Sequence, residues 1–216
     1  MKKKFLAGLA LGLFLGVATT STAAVITLDF EGVGNVNPVG NFYNGGGGTN
    51  YGITFSDNTL ALVDSDAGGS GNFGGEPSPN TVMFFLTGND ARMTVASGFD
   101  TGFSFWYSAI SLPGSVGVYN INNVLLASLN LPVTPSDGGD PNGNFSPFYQ
   151  LGVGFAGTAS YVSFAGVQNQ IGFDNVTFGS VTPDGGGTNP VPEPATMLLM
   201  GTGIAGLIAA RRKKKA

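Results

Sequence analysis

The chain has neither cysteine nor histidine among its 216 residues. No disulfide can staple the fold, no thiol can act as nucleophile or redox centre, and no imidazole can act as general base. Zinc sites of the usual Cys/His kind have no ligands. Positive charge is almost as scarce. Between Val25 and Pro190 the single basic residue is Arg92, set against twelve acids (Asp29, Glu31, Asp57, Asp64, Asp66, Glu76, Asp90, Asp100, Asp137, Asp140, Asp174 and Asp184), a net charge of −11 in a chain that totals −4. Such a segment repels nucleic acid and anionic lipid, attracts cations, and stays soluble without help from a partner. Helical patterning is missing too: no stretch of a dozen residues in this region combines a 3.6-residue apolar period with a cap.

The remaining basic residues crowd the two ends. Lys2-Lys3-Lys4 precedes an apolar run from Phe5 to Ala18 and small residues up to Ala24. That order is a secretory signal peptide over residues 1–24, removed by signal peptidase after Ala23 or Ala24. At the other end Val191-Pro192-Glu193-Pro194 is followed by an apolar run, Ala195 to Ala210, and by Arg211-Arg212-Lys213-Lys214-Lys215. As a helix the apolar run covers roughly 24 Å, short of the ~30 Å hydrocarbon core, so it spans only by thinning the bilayer or drawing in its flanks. The basic block then stays cytoplasmic, which leaves the Pro-Glu-Pro extended at the outer face.

Motif, short span and basic stop in this order resemble the PEP-CTERM sorting signal of Gram-negative bacteria. The resemblance implies an exported protein held in the inner membrane as a precursor and cut by exosortase, with Glu193 and its flanking prolines as the recognition element. It also implies a final place in the cell envelope or extracellular matrix, associated with exopolysaccharide and biofilm.

Residues 25–179 read as one all-β domain. Runs rich in Val, Ile, Phe, Tyr and Thr alternate with Gly, Asn, Asp, Ser and Pro clusters, giving eleven expected strands: 25–30, 51–55, 59–63, 81–86, 92–95, 102–107, 115–120, 124–130, 149–153, 160–165 and 171–178. Phe103, Phe105 and Tyr107 alternate with Ser104 and Trp106, as in a strand with one face in a core. Eleven short strands suggest two packed antiparallel sheets, a β-sandwich. Long Gly-rich connections at 32–50, 64–80 and 132–147 interrupt the pattern, and residues 180–190 read as a linker to the sorting tail at 191–216. The patterns Ile26-Thr27-Leu28-Asp29-Phe30-Glu31-Gly32 and Ile171-Gly172-Phe173-Asp174-Asn175-Val176-Thr177-Phe178 resemble the first and last strands of jelly-roll sandwiches, carbohydrate-binding modules among them. In that architecture the two strands lie together, and the resemblance implies a structural calcium ion held by Asp29, Glu31 and Asp174. Oxygen ligands of this kind suit a hard cation, and three carboxylates brought together need one.

Other motifs carry less. Asp64-Ser65-Asp66 lacks the third ligand and the closing Glu of an EF-hand loop and reads as solvated acids. Gly152-Val153-Gly154-Phe155-Ala156-Gly157 has dinucleotide-fingerprint spacing, but strand-like sequence follows where a helix is needed. Twelve carboxylates could furnish a glycosidase pair, yet none is paired in a way sequence reveals, and the expectation is a protein without catalytic residues. Sugar recognition would fall to aromatic side chains that stack on pyranose rings, with Trp106, Tyr43, Tyr51, Tyr119 and Tyr149 as candidates. Trp106, mid-strand between Phe105 and Tyr107, fits burial between the sheets better than an exposed platform.

Overall fold

The computed structural model describes residues 25–134, 145 and 147–187. The expected signal peptide, the sorting motif and the apolar run at 195–210 lie outside the described residues, among which no helix is long and apolar enough to cross a membrane.

Among the described residues eleven strands form: β1 (Ile26–Leu28), β2 (Ile53–Phe55), β3 (Thr59–Val63), β4 (Thr81–Phe85), β5 (Asp90–Phe99), β6 (Gly102–Ser108), β7 (Gly114–Tyr119), β8 (Leu125–Leu131), β9 (Tyr149–Gly154), β10 (Ala159–Ala165) and β11 (Gly172–Phe178). They pair antiparallel into two sheets. The first sheet runs β3-β4-β11-β6-β9 with β1 also on β11, and the second runs β2-β5-β10-β7-β8. Each expected strand is present, most shifted at their ends by one or two residues and β5 lengthened at both.

Period-two alternation sets what lies between the sheets. Phe103, Phe105 and Tyr107 of β6 point inward with Phe173 of β11 and meet Val162 and Phe164 of β10 and Met93 of β5. The rings pack edge to face: Phe105 and Phe173 have centroids 5.7 Å apart at 66°, Phe164 and Phe173 4.9 Å apart at 67°. Each aromatic removes on the order of 150–250 Å² from water. This burial does the work of the absent disulfides.

The outer face of the first sheet is covered as well, which is why all five residues of β4 are buried. The connection at 64–80 crosses it and pairs with the later connection through a parallel bridge between Phe73 and Phe145. Beneath them Phe73, Val82 and Phe148 form a second small core with Leu62, Phe145 and Trp106. Trp106 therefore sits outside the sandwich, under loops, and not between the sheets. Its register partner on β11 is Asp174, and its indole N–H is buried without an acceptor among the described residues. Residues 180–187 also pack on the sandwich: the Ser104 hydroxyl donates to the Ser180 carbonyl at 3.1 Å, and a side chain at Gly152 would collide with the Val181 carbonyl.

Candidate functional site

β1 and β4 share one edge of β11. β1 pairs with its C-terminal half (Leu28 opposite Val176) and β4 with its start (Met83 opposite Phe173), which leaves a junction at Asp174 and Asn175. The backbone turns sharply on both sides of that junction. Asn175 has φ 43° and Phe30, just past β1, has φ 61°; both are left-handed values that side chains other than Gly rarely take. β11 also loses its register with β6 between Asp174 and Thr177. These turns direct the Asp174 carboxylate and the Asp29 carbonyl into one buried space, roofed by the end of the 64–80 connection.

Ser78 stands at its centre. Its hydroxyl lies 2.8 Å from each oxygen of Asp174, 3.2 Å from the Asp29 carbonyl, 3.2 Å from the Thr81 carbonyl and 3.5 Å from Glu31 Oε1. A hydroxyl has one proton to give, so five acceptor oxygens around it are four more than it can satisfy. Asp174, fully buried, also accepts from the Ser78 N–H at 2.8 Å and the Asn175 N–H at 2.6 Å. Glu31 accepts from the Asn80 N–H at 2.8 Å and the Thr81 hydroxyl at 2.9 Å.

Asp29, Glu31 and Asp174 thus meet, in different roles. Asp29 turns its carbonyl toward Ser78 and its carboxylate away, where Oδ1 accepts from the Glu31 N–H at 3.2 Å and the Tyr43 hydroxyl at 3.4 Å. Among the described residues no group of three acidic side chains converges as a metal cluster. The donor set is two carboxylates, two main-chain carbonyls and one hydroxyl. All are oxygens, their number approaches the six to eight a calcium ion takes, and they come from three distant chain segments. Oxygen donors of this kind are those a hard cation takes, and in this structure they converge on the Ser78 hydroxyl oxygen.

The electrostatics agree. Burial pushes the Asp174 carboxyl from 3.8 up to about 7, against the Ser78 and Asn175 donors that favour its charged form, and Glu31 adds to the rise. Burial, with the Asp29 carboxylate behind it, also drives the Tyr43 phenol far above its ordinary value. That hydroxyl is fixed by accepting the Phe30 N–H at 2.7 Å.

A cleft of about 830 Å³ opens beside this cluster, walled by Thr27, Asp29, Glu31, Phe42, Tyr43, Thr49 and Tyr51 and by the glycine run of the first long connection. Those glycines are needed where they pass an aromatic ring: a Cβ at Gly48 would stand 2.5 Å from Phe42 Cε1. Of the five aromatic candidates, the cleft takes two. Tyr43 is buried in its floor with Tyr51 stacked near it, centroids 6.3 Å apart. Tyr119 lies on the outer face of the second sheet against Tyr161, 4.8 Å apart and nearly parallel, with the Arg92 guanidinium 3.6 Å from the Tyr161 ring centre. Tyr149 is exposed at the start of β9, and Trp106 is in the second core. Asp64, expected in solvent, is buried, and its Oδ1 accepts from the Ser65 N–H. Ser78, Asn80 and Thr81 carried no sequence signal, since Ser, Asn and Thr fill every loop of this chain.

Residues 190–213 match the PEP-CTERM protein-sorting motif. That motif implies processing by exosortase and an exported, membrane-anchored protein of the cell surface. No curated protein sequence matches it. Among solved structures, the K2 cleaved adhesin domain of Lys-gingipain is similar at 14% identity, covering 72% of this chain and 99% of that one with a TM-score of 0.46. The K1 cleaved adhesin domain of Lys-gingipain from Porphyromonas gingivalis W83 is similar at 16% identity, covering 72% and 98%, TM-score 0.38. A family 6 carbohydrate-binding module is similar at 17% identity, covering 58% and 85%, TM-score 0.34.

Proposed function

We propose that the mature protein is a non-enzymatic component of the bacterial envelope or extracellular matrix. Its sandwich is clamped by calcium, and it binds exopolysaccharide in the cleft beside the clamp. The observation that carries this reading is the Ser78 hydroxyl, with five acceptor oxygens within 3.5 Å and one proton to share. The Asp174 and Glu31 carboxylates, the Asp29 and Thr81 carbonyls and the Ser78 hydroxyl would hold the ion. Bound calcium supplies charge neutralisation and no chemistry. It ties the first strand, the 64–80 connection and the last strand together, as a disulfide would in a chain that had cysteine.

The strand order β4-β11-β6-β9 facing β5-β10-β7-β8 supports a jelly-roll reading of the sandwich. The non-enzymatic reading rests on Asp174: with no exposed surface it cannot reach a substrate, so its nearness to Glu31 makes no glycosidase pair. The cleft suits a neutral sugar, with Tyr51 and Phe42 as apolar walls and Asp29, Thr27 and Thr49 as hydrogen-bonding groups. Exosortase cleavage after export would release this module into the matrix or leave it tethered there.

Two titrations on the purified mature protein test the reading. Calorimetry with calcium after chelation should show one site per chain. Affinity electrophoresis through exopolysaccharide from the source cells should show retardation that Tyr51→Ala weakens. Absence of calcium uptake removes the clamp, and absence of retardation in the calcium-loaded protein removes the glycan site, so the two halves fail separately.

A further inference from the structure

Each sheet ends in strands whose outer backbone groups need covering, and every edge but one has it or is too short to recruit a partner. β3 is covered by residues 36–39: the Val36 and Val39 N–H groups donate to the Ala61 and Thr59 carbonyls, and the Ala61 N–H donates to the Asn37 carbonyl. β1 and β2 have only three residues each. β9 carries Gly152 and Gly154, both close against the Val181 segment. The remaining edge, β8, is covered by no backbone hydrogen bond among the described residues, and one register shift, at Leu126 opposite Val118 and Tyr119, interrupts it. It presents Leu125-Leu126-Ala127-Ser128-Leu129-Asn130-Leu131, seven residues without proline, glycine or charge at the end of the second sheet.

The charge map is open at the same place. No charged residue occurs from Thr101 to Ser136 or from Pro141 to Phe173, so β6 to β10 carry none and the −11 of the domain comes from the rest. Two copies of a domain this acidic repel one another over most of their surfaces, and the face carrying β7 and β8 is where that repulsion is least. Apolar side chains are exposed there as well: Ile121 at 77%, Val124 at 54% and Leu125 at 50% stand together at the β7–β8 turn.

We propose that β8 is a self-association seam, at which two copies of this chain pair edge to edge, antiparallel about a two-fold axis, and join their second sheets into one. An isologous contact of this kind needs a self-complementary strand, and an uncharged run of Leu, Ala, Ser and Asn is one. The proposed clamp lies on the first sheet and the cleft beside β1 and the start of β2, at the edge of the second sheet opposite β8, so the seam is independent of both.

The absence of cysteine makes the test clean. Single cysteines are placed in turn at Leu125, Leu126, Ala127, Ser128, Leu129 and Asn130, and at Ser97 on β5 as an exposed control. The full chain is expressed in an exporting cell and dimers are read on a non-reducing gel. A disulfide needs Cα atoms within about 7 Å, and each residue away from a two-fold axis separates like positions by a further ~6.6 Å. The expected result is a covalent homodimer at one position on β8, or at two adjacent ones, and none at Ser97. Adding Ser128→Lys to the peak variant, or Asn130→Lys if the peak is at residue 128, places like charges across the seam. It should lower the dimer yield at least about tenfold without moving the melting temperature. Equal yields along β8 and at Ser97, no homodimer at any position, a conjugate of another mass, or indifference to the added lysine would each overturn the seam.

Discussion

The proposed calcium clamp predicts that chelation destabilises the mature protein in a pH-dependent way. Without the ion, the Asp174 carboxyl is held up to about 7 against 3.8 when solvated, chiefly by burial. At 1.36 kcal/mol per unit, that is about 4 kcal/mol. The sign follows from proton uptake. Between pH 4 and 7 the folded ion-free protein keeps a proton on Asp174 that the unfolded chain has lost, so its stability is full below about pH 4 and falls as pH rises through 7. A bound cation replaces that proton and abolishes the loss. Melting temperature measured from pH 4 to 8, in calcium and in chelator, should therefore show two curves that meet near pH 4 and separate by roughly 8–16 °C at pH 8, at 2–4 °C per kcal/mol for a domain of this size. Asp174→Asn, neutral at every pH, should abolish the calcium response and be more stable in chelator at pH 8 than the parent. Coincident curves at pH 8, or a gap that does not change with pH, would refute the reasoning.

Three further outcomes are expected. Replacing Pro192, Glu193 and Pro194 with alanine should leave a full-length, membrane-held precursor on immunoblots of fractionated cells, and normal processing would count against their role in cleavage. Tyr43→Phe removes the acceptor of the buried Phe30 N–H and should cost about 1–3 kcal/mol in denaturant unfolding; a neutral result would mean that another group takes over that proton. Gly152→Ala puts a methyl group into the Val181 carbonyl and should cost about 1–3 kcal/mol by overpacking, whereas an unchanged midpoint would mean that the 180–187 segment lifts away at no cost.

The strands were legible because the chain is nearly all one kind of pattern. Phe103, Phe105 and Tyr107 alternate so regularly that face and core followed directly, and the Gly/Asn/Asp clusters marked the turns. What escaped was everything that covers the outside. Trp106 was read as lying between the sheets because alternation predicts only two faces, core and solvent. Here the 64–80 connection and Phe145 build a third apolar layer, and period-two patterning carries no sign of it. The carboxylate cluster was half legible. Asp29, Glu31 and Asp174 sit in strand-end patterns whose pairing brings them together, but Ser78 joins Asp174 across 96 positions and belongs to a loop with no distinguishing composition. That Asp29 offers its carbonyl depends on the left-handed turn at Phe30, a conformation that no Phe announces.

The position of the cluster also dictates how calcium should act on folding rates. The contacts it joins are among the most distant in the chain, with residues 29 and 31 of the first strand's end against Asp174 of the last strand. Closing such a loop loses chain entropy before any contact repays it, so non-local pairings tend to form late, after β5, β6, β7 and β10 have made the central sandwich. A contact absent from the folding transition state changes the unfolding rate and leaves the folding rate alone. Saturating calcium should therefore lower the unfolding limb of a chevron, by about a thousandfold if the clamp is worth the full 4 kcal/mol, and leave the folding limb within a factor of two. Stopped-flow refolding of the mature protein in calcium and in chelator at pH 8 measures both limbs. Equal acceleration of folding would place β1 and β11 together in the nucleus and the clamp at the start of folding, where topology says it should not be.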